Sequence, residues 1–370
     1  MISAGEASGE LYGALLSRAI WKMWPDAEII GIGGTRMKSE GVRLIASISS
    51  SFGLVETIRH WRQLMKDFRR AGEALIRERP DILVLIDYPD FNIALAKKAK
   101  TAGIPVLYYV SPQVWAWRKG RVNKIASVVN KMAVLFPFEV DSYKDTGLFC
   151  EFVGHPITET LNVNQTKKEI KEKLGLDPFK QVIALLPGSR PSEIKRHESI
   201  IRETAGRIHA ESPEMQILVP LVSGTNLKDD PPAYIKVIYN RTNEVVACSE
   251  AAAVASGTAT LETALLGIPM VVFYKLSPLT FMIGRLLVKL KFISLVNLLS
   301  GEKVVNELIQ KNATAENVFL ELKKILTNSD YRQEMIANLI KIKAVIGDKN
   351  PSARVALMAG ELAGWQSTEA

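Results

Sequence analysis

Four short stretches of the sequence set hydroxyl, carboxylate or guanidinium groups beside glycine or proline, a combination that brings backbone and side chain together against a polar ligand. In LLPGSR, residues 185–190, an apolar run ends at Pro187 and Gly188 and is followed at once by Ser189 and Arg190. Bare backbone, a hydroxyl and a forked guanidinium at one strand tip suit phosphate oxygens; an ordinary strand-to-loop turn with an exposed arginine is the plainer reading. In SGTATLE, residues 256–262, Ser256, Gly257 and Thr258 stand where a helix would begin, so unpaired N–H groups and the helix dipole favour an anion. Glu262 follows one turn later, wrongly charged for a phosphate but suited to accept hydrogen bonds from the two hydroxyls of a ribose; simple capping is the alternative. IDYPDFN, residues 86–92, ends an apolar run with Asp87 and Asp90 around Pro89, and a carboxylate at such a tip can act as a general base or merely form a turn. GEASGE, residues 5–10, offers close backbone approach at Gly5 and Gly9 and a carboxylate, Glu6, at the start of an amphipathic pattern, or no more than a turn into a helix.

Other signals are weaker. GIGGT at 31–35 is a glycine loop without the full dinucleotide spacing, and no Walker pattern occurs, so neither dinucleotide nor ATP binding is supported. The sequence holds four histidines, none with metal-ligand spacing, and no metal or cofactor is expected. His155, in GHP, reads equally as a substrate contact and as a structural residue near a domain boundary. VSPQVWAWRKGR, residues 110–121, sets Trp115 and Trp117 among Arg118, Lys119 and Arg121, which could stack on a base or cover a core edge; nucleic-acid binding is not expected from this alone.

These candidates need strand ends to hold them, and the hydropathy pattern supplies strands. Apolar runs AEIIGIGG, DILVLIDYP, IPVLYYVSP and KMAVLFP alternate with helical stretches, including one over 62–78, and predict a parallel α/β sheet. After EFVGHP and a lysine-rich helical stretch the rhythm restarts with QVIALLPGSR, MQILVPLVS, AYIKVIY, CSEAAAVASGT and PMVVFYKL. Two doubly wound domains in tandem follow, residues 1–164 and 165–349, with carboxyl strand ends facing a cleft. At 370 residues the chain is long enough for two cores. A terminal helix over 350–366 is expected to pack back on the first domain or on a partner subunit, so a homodimer is conceivable. Two cysteines and no secretory pattern point to a reducing cytoplasm. The net charge of +8 and pI near 9.3 call for an anionic partner without choosing among nucleic acid, a phosphorylated small molecule and a membrane surface. Residues 276–299 are mostly apolar, with Arg285, Lys289 and Lys291 interleaved and no acid; the apolar runs are too short to span a bilayer, and interfacial binding is preferred to pure core packing.

GEASGE, GIGG, IDYPDFN, YVSPQVWAWR, FPFE, FVGHP, LLPGSR and SGTATLE, in this order and spacing, resemble the lipid-A-disaccharide synthases over nearly the whole chain. The resemblance implies a GT-B-like fold, two Rossmann-type domains facing a cleft, and a membrane-associated inverting glycosyltransferase on the cytoplasmic face of the inner membrane. Its reaction would pass 2,3-diacylglucosamine from UDP-2,3-diacylglucosamine to 2,3-diacylglucosamine 1-phosphate, giving a β-1,6-linked disaccharide and UDP. Ser189, Arg190 and Ser256 to Thr258 would then hold the diphosphate and Glu262 the ribose. Asp87 would be the base, with Asp90 and Glu6 as rivals, while Gly5, Ser8 and Gly9 would line the acceptor side. Asn297 and Glu307 resemble positions near the donor. Only MISA precedes GEASGE, where the family carries a full first strand, so a shortened central strand is expected. Another UDP-sugar enzyme, or a basic protein bound to membrane or nucleic acid, is the alternative.

Overall fold

The computed structural model describes residues 1–5, 7–47, 61–112, 119–161, 164–277, 291–347 and 349–366. The chain divides into two compact units, Met1–Pro156 with Asp348–Ala370, and Ile157–Gly347. The division thus falls after Pro156, and the terminal helix Pro351–Ala363 belongs to the first unit.

Unit 1 is built on seven strands, β1 (Ile2–Ala4), β2 (Ile30–Gly33), β3 (Arg43–Ser47), β4 (Leu83–Ile86), β5 (Val106–Tyr109), β6 (Lys131–Val134) and β7 (Phe149–Phe152). They pair in parallel in the order β3-β2-β1-β4-β5-β6-β7. Strands β4 and β5 are buried at every position, as an uninterrupted apolar run requires when helices cover both faces. The central strand β1 is indeed short, but Ile2 and Ala4 are packed to 1% and 0% exposure between β2 and β4. Pro89, which cannot donate a backbone hydrogen bond, starts the helix Pro89–Thr101 where no intrahelical donor is needed.

Unit 2 carries β8 (Val182–Leu186), β9 (Gln216–Leu221), β10 (Ile235–Tyr239), β11 (Ala251–Ala255), β12 (Met270–Tyr274) and β13 (Asn306–Ile309). They are also parallel, in the order β10-β9-β8-β11-β12-β13. β8 and β11 are wholly buried and form the centre of the sheet. In an open parallel sheet the chain winds outward in opposite directions from one point, and the loops on either side of that point splay apart to leave a crevice at the carboxyl ends of the strands. That point lies between β1 and β4 in unit 1 and between β8 and β11 in unit 2. Among the described residues no helix is long and apolar enough to cross a membrane.

Candidate active site

In unit 2 both sides of the switch point are occupied by stretches singled out from the sequence. Gly188, Ser189 and Arg190 follow β8, and Ser256, Gly257 and Thr258 follow β11. Ser189, Arg190, Gly257 and Thr258 are exposed. Gly188 adopts φ +116°, which L side chains rarely reach, and a Cβ there would stand 2.7 Å from the Glu193 carboxylate. That carboxylate, at the third position of the helix Pro191–Glu211, accepts from the N–H groups of Ser189 (3.3 Å) and Arg190 (3.4 Å) and from the Tyr274 hydroxyl (3.0 Å). Glu193 therefore takes up the loop amides, and the Ser189 hydroxyl and the Arg190 guanidinium are the side-chain groups of the loop whose chemistry suits an anion. Across the crevice the helix Thr258–Leu265 begins at Gly257 with no side-chain cap, so its first turn presents amide hydrogens and the positive end of the dipole.

Glu262 lies one turn into that helix, half-buried, and has no hydrogen-bond partner among the described residues. Burial raises its carboxyl pKa above the usual range, since a desolvated carboxylate without donors is costly. A group in that state gains from any ligand that brings it two hydroxyl donors.

In unit 1 the switch point is flanked by Gly5, after β1, and Asp87, after β4. The chain is bent sharply here: Asp87 (φ 51°), Tyr88 (φ 53°) and, at the end of β5, Val110 (φ 68°) are all left-handed, a conformation that costs non-glycine residues roughly 1–3 kcal/mol each. Three buried groups hold the bend. Asn92 Nδ2 donates to the carbonyls of Asp87 (2.7 Å) and Ile86 (3.2 Å), the Ser3 hydroxyl donates to Asn92 Oδ1 (2.7 Å), and the Tyr108 hydroxyl donates to the Asp87 carbonyl (2.8 Å). Asp87 is thus half-buried and fixed through its own backbone, whereas Asp90 is exposed and paired with Arg121 at 2.8 Å. A Cβ at Gly9 would meet Ile86 at ordinary contact distance, and Ser8 beside it is half-buried.

Several of the residues singled out from the sequence also have partners inside the fold. Gly5 has a packing reason, because a Cβ there would overlap the Tyr88 ring. The GIGGT loop serves an internal anion: Glu10 accepts from the Arg36 N–H at 2.7 Å and fills the space beside Gly34. His155 is 3% exposed, its ring set against Tyr12 and Phe136, and burial pushes its pKa down to about 3; the neutral ring is packing rather than surface. Asn297 is fully buried and spends both amide ends on the backbone of Val304 and Val305 and on Glu307. Glu307 in turn accepts from the N–H groups of Ile293 and Ser294 and from the Ser294 hydroxyl. These two residues lock the turn between residues 293 and 307, which leaves them little to offer a sugar. Glu6, Trp115, Trp117, Arg118, Arg285 and Lys289 lie outside the described residues, while Lys291 is exposed with its ammonium over the Phe292 ring. The supporting groups Asn92, Tyr108, Glu193 and His197 were not anticipated; for Asn92 and His197 the signal was a polar residue at a helix position otherwise apolar, and Tyr108 and Glu193 gave none. Among the described residues no three His, Cys, Asp or Glu side chains gather as metal ligands would.

Comparison with known proteins brings an independent measure. Solved structures of similar fold include a UDP-GlcNAc 2-epimerase from Neisseria meningitidis bound to UDP-GlcNAc (TM-score 0.62, 11% identity, covering 96% of this chain and 98% of that one). The calicheamicin glycosyltransferase is another (TM-score 0.64, 15% identity, 98% of each chain). At such identities they establish the fold, which is GT-B. Sequence relatives are much nearer: lipid-A-disaccharide synthases of Geobacter metallireducens (40% identical over 372 residues, 98% of this chain and 97% of the relative) and Nitrosococcus oceani (42% over 355 residues, 94% and 92%). The lipid-A-disaccharide synthetase family model matches residues 1–357, a range that includes the strand ends described above in both units. With that coverage, the chain belongs to the lipid-A-disaccharide synthetase family of glycosyltransferases.

Proposed function

We propose that this member of the family makes the lipid A disaccharide by passing 2,3-diacylglucosamine from UDP-2,3-diacylglucosamine to 2,3-diacylglucosamine 1-phosphate. The observation that carries the assignment of roles is Glu262, a half-buried carboxyl without a hydrogen-bond partner among the described residues, beside an uncapped helix start and across the crevice from Arg190. A nucleoside diphosphate suits these groups: ribose hydroxyls for Glu262, and phosphate oxygens for Ser189, Arg190 and the amides from Ser256 to Thr258.

In the transfer, the 6-hydroxyl oxygen of the acceptor bonds to the anomeric carbon of the donor as the bond from that carbon to the diphosphate breaks, so the anomeric centre inverts. The acceptor proton passes to a carboxylate, for which Asp87 is best suited: its backbone is held by Asn92 and Tyr108, whereas Asp90 is committed to Arg121. The negative charge that grows on the departing UDP is met by Arg190 and the helix start, whose amides are already in place before the reaction begins. Ser8 and Gly9 belong to the acceptor side. The acyl chains of both substrates call for work at a lipid surface, and the excess of positive charge with the basic, apolar stretch 276–299 fits the anionic cytoplasmic face of an inner membrane.

The test is a titration of the purified protein with UDP, followed by an assay with the two lipid sugars in the presence and absence of a chelator. UDP binding with chelator-resistant disaccharide formation is expected. Binding without product would retain the nucleotide site and reject the acceptor assignment; failure to bind UDP would reject the unit 2 site itself.

A further inference from the structure

His197 lies in the helix Pro191–Glu211 and is fully buried. Its Nδ1 is 2.7 Å from the Pro187 carbonyl oxygen and its Nε2 is 3.0 Å from the Lys275 N–H. A carbonyl can only accept and an amide N–H can only donate, so these two bonds fix the ring: Nδ1 carries the proton, Nε2 the lone pair, and the imidazole is neutral. Phe273 stands edge-on to the ring (5.2 Å, 74°) and Tyr274 lies tilted against it (5.4 Å, 53°). One side chain thus ties the carboxyl end of β8 to that of β12, two strands separated in the sheet by β11. Pro187 is the last residue before Gly188, Ser189 and Arg190. The tie is doubled by Tyr274, whose hydroxyl donates to the same Glu193 carboxylate that accepts from the Ser189 and Arg190 amides.

We propose that His197 is a positioning residue for the anion-binding loop: as the neutral Nδ1–H tautomer it sets where Ser189 and Arg190 stand, and protonation of the ring releases the loop and weakens its hold on a diphosphate. The proposal rests on the reading of unit 2 as the UDP site. Protonation puts a second N–H at Nε2, opposite the Lys275 N–H, so two donors face each other inside the unit and the tie to β12 is lost. The charged and titratable groups around the ring are Glu193 and Arg196 on its own helix and Tyr274 and Lys275 on the strand end. Burial outweighs the attraction of Glu193, is joined by the repulsion of Arg196, and holds the pKa below the ordinary imidazole value. A histidine depressed in this way contributes stability that is present above its unfolded pKa of about 6.5 and is lost as pH falls through the folded value. The loop is therefore intact at neutral pH and loosens on acidification.

The experiment is a UDP titration of the full chain and its H197F and H197N variants between pH 8 and 5, with helix content checked by circular dichroism. Phe keeps the ring volume and removes both bonds; Asn places an amide nitrogen near the position of Nδ1 and restores the bond to Pro187. H197F is expected to bind UDP about tenfold more weakly at pH 8, the cost of one or two buried hydrogen bonds, and H197N to recover most of that loss. The advantage of wild type over H197F should shrink on acidification; because both bind the same nucleotide, the titration of its own phosphate cancels in the ratio. Equal affinities for wild type and H197F, or a ratio independent of pH, overturns the proposal. A nitrogen-15 imidazole spectrum reports the tautomer directly, and a proton on Nε2 at pH 8 overturns it also. If wild type binds no UDP, the nucleotide reading of unit 2 falls, and amide exchange over residues 188–190 then decides the matter: faster in H197F supports the tie, unchanged rejects it.

Discussion

Arg190 stands exposed at the head of a helix, while Asp87 is half-buried in a backbone bend, and the difference sets what each substitution should do. Arg190 forms the cap of the helix through its backbone, with its amide on Glu193, so Arg190→Ala keeps the loop and removes only the guanidinium. Turnover should fall on the order of a hundredfold if that cation meets the charge of the leaving diphosphate, and steady-state kinetics with the UDP-sugar decides it; unaltered turnover would exclude Arg190 from the reaction. Asp87→Asn keeps the side-chain size and the backbone bonds to Asn92 and Tyr108, which use the main-chain carbonyl. Activity should be abolished with UDP affinity unchanged, because the base belongs to unit 1 and the nucleotide to unit 2. Asp90→Asn is the control: it breaks an exposed ion pair with Arg121, and activity should stay near wild type. If Asp90→Asn is the inactive one, the base has been misassigned.

At the scale of elements, the left-handed bend after β4 is maintained by its neighbours, and Gly5 at the end of β1 is one of them. Tyr88 lies stacked on Phe91 (4.9 Å, 16°) and occupies the volume a Cβ on Gly5 would need. Gly5→Ala should therefore force the ring aside, destabilise unit 1 by about 1–3 kcal/mol in urea unfolding and move Asp87 with it, so that kcat falls without a change in UDP affinity. Stability and kcat both at wild-type values would show that the bend tolerates displacement of Tyr88. This is also where the sequence and the structure part company. The buried strands β4, β5, β8 and β11 were legible because a parallel strand covered on both faces must be a continuous apolar run. β3 and β13 were not, since edge strands mix exposed Arg43 and Ser47, or half-buried Asn306 and Glu307, into the pattern. The motifs at the strand tips were legible for a related reason: glycine, proline and hydroxyl residues cluster where the chain leaves β4, β8 and β11, while single ones such as Pro220 in β9 stay within a strand. What they contact was not. Asn297 and Glu307 look like ligand residues in isolation and prove to be each other's partners, and the link from His197 to Lys275 joins positions far apart in the chain.

For the whole molecule the informative feature is that the chain returns, after unit 2, to finish unit 1. The helix Pro351–Ala363 packs on the helix Ala7–Met23 and buries Val355 and Met358 completely, while Gly360 lets Trp24 approach so closely that a Cβ would lie 2.5 Å from its ring. Trp24 also donates to the Gln366 carbonyl at 2.9 Å and meets the Trp365 ring at 5.2 Å. On the far side Arg354 grips Glu151, next to the end of β7, through two bonds of 2.7 and 2.6 Å. That guanidinium holds the Glu151 carboxyl below the usual carboxylate range. The ion pair is partly exposed and contributes little, whereas losing Val355 and Met358 from the core costs roughly 3–6 kcal/mol. Removing residues 348–370 should accordingly lower the melting temperature of unit 1 by about 10 °C or more. Hydrogen exchange followed by mass spectrometry should show protection lost across β1, β4 and β5 and retained across β8 and β11, because the helix packs in the core of unit 1. Since UDP is assigned to unit 2, the shortened protein should still bind the nucleotide at low temperature while making no disaccharide. Loss of UDP binding together with loss of unit 1 would mean that the nucleotide site depends on residues of both units, and the assignment of donor to one sheet and acceptor to the other would have to be redrawn.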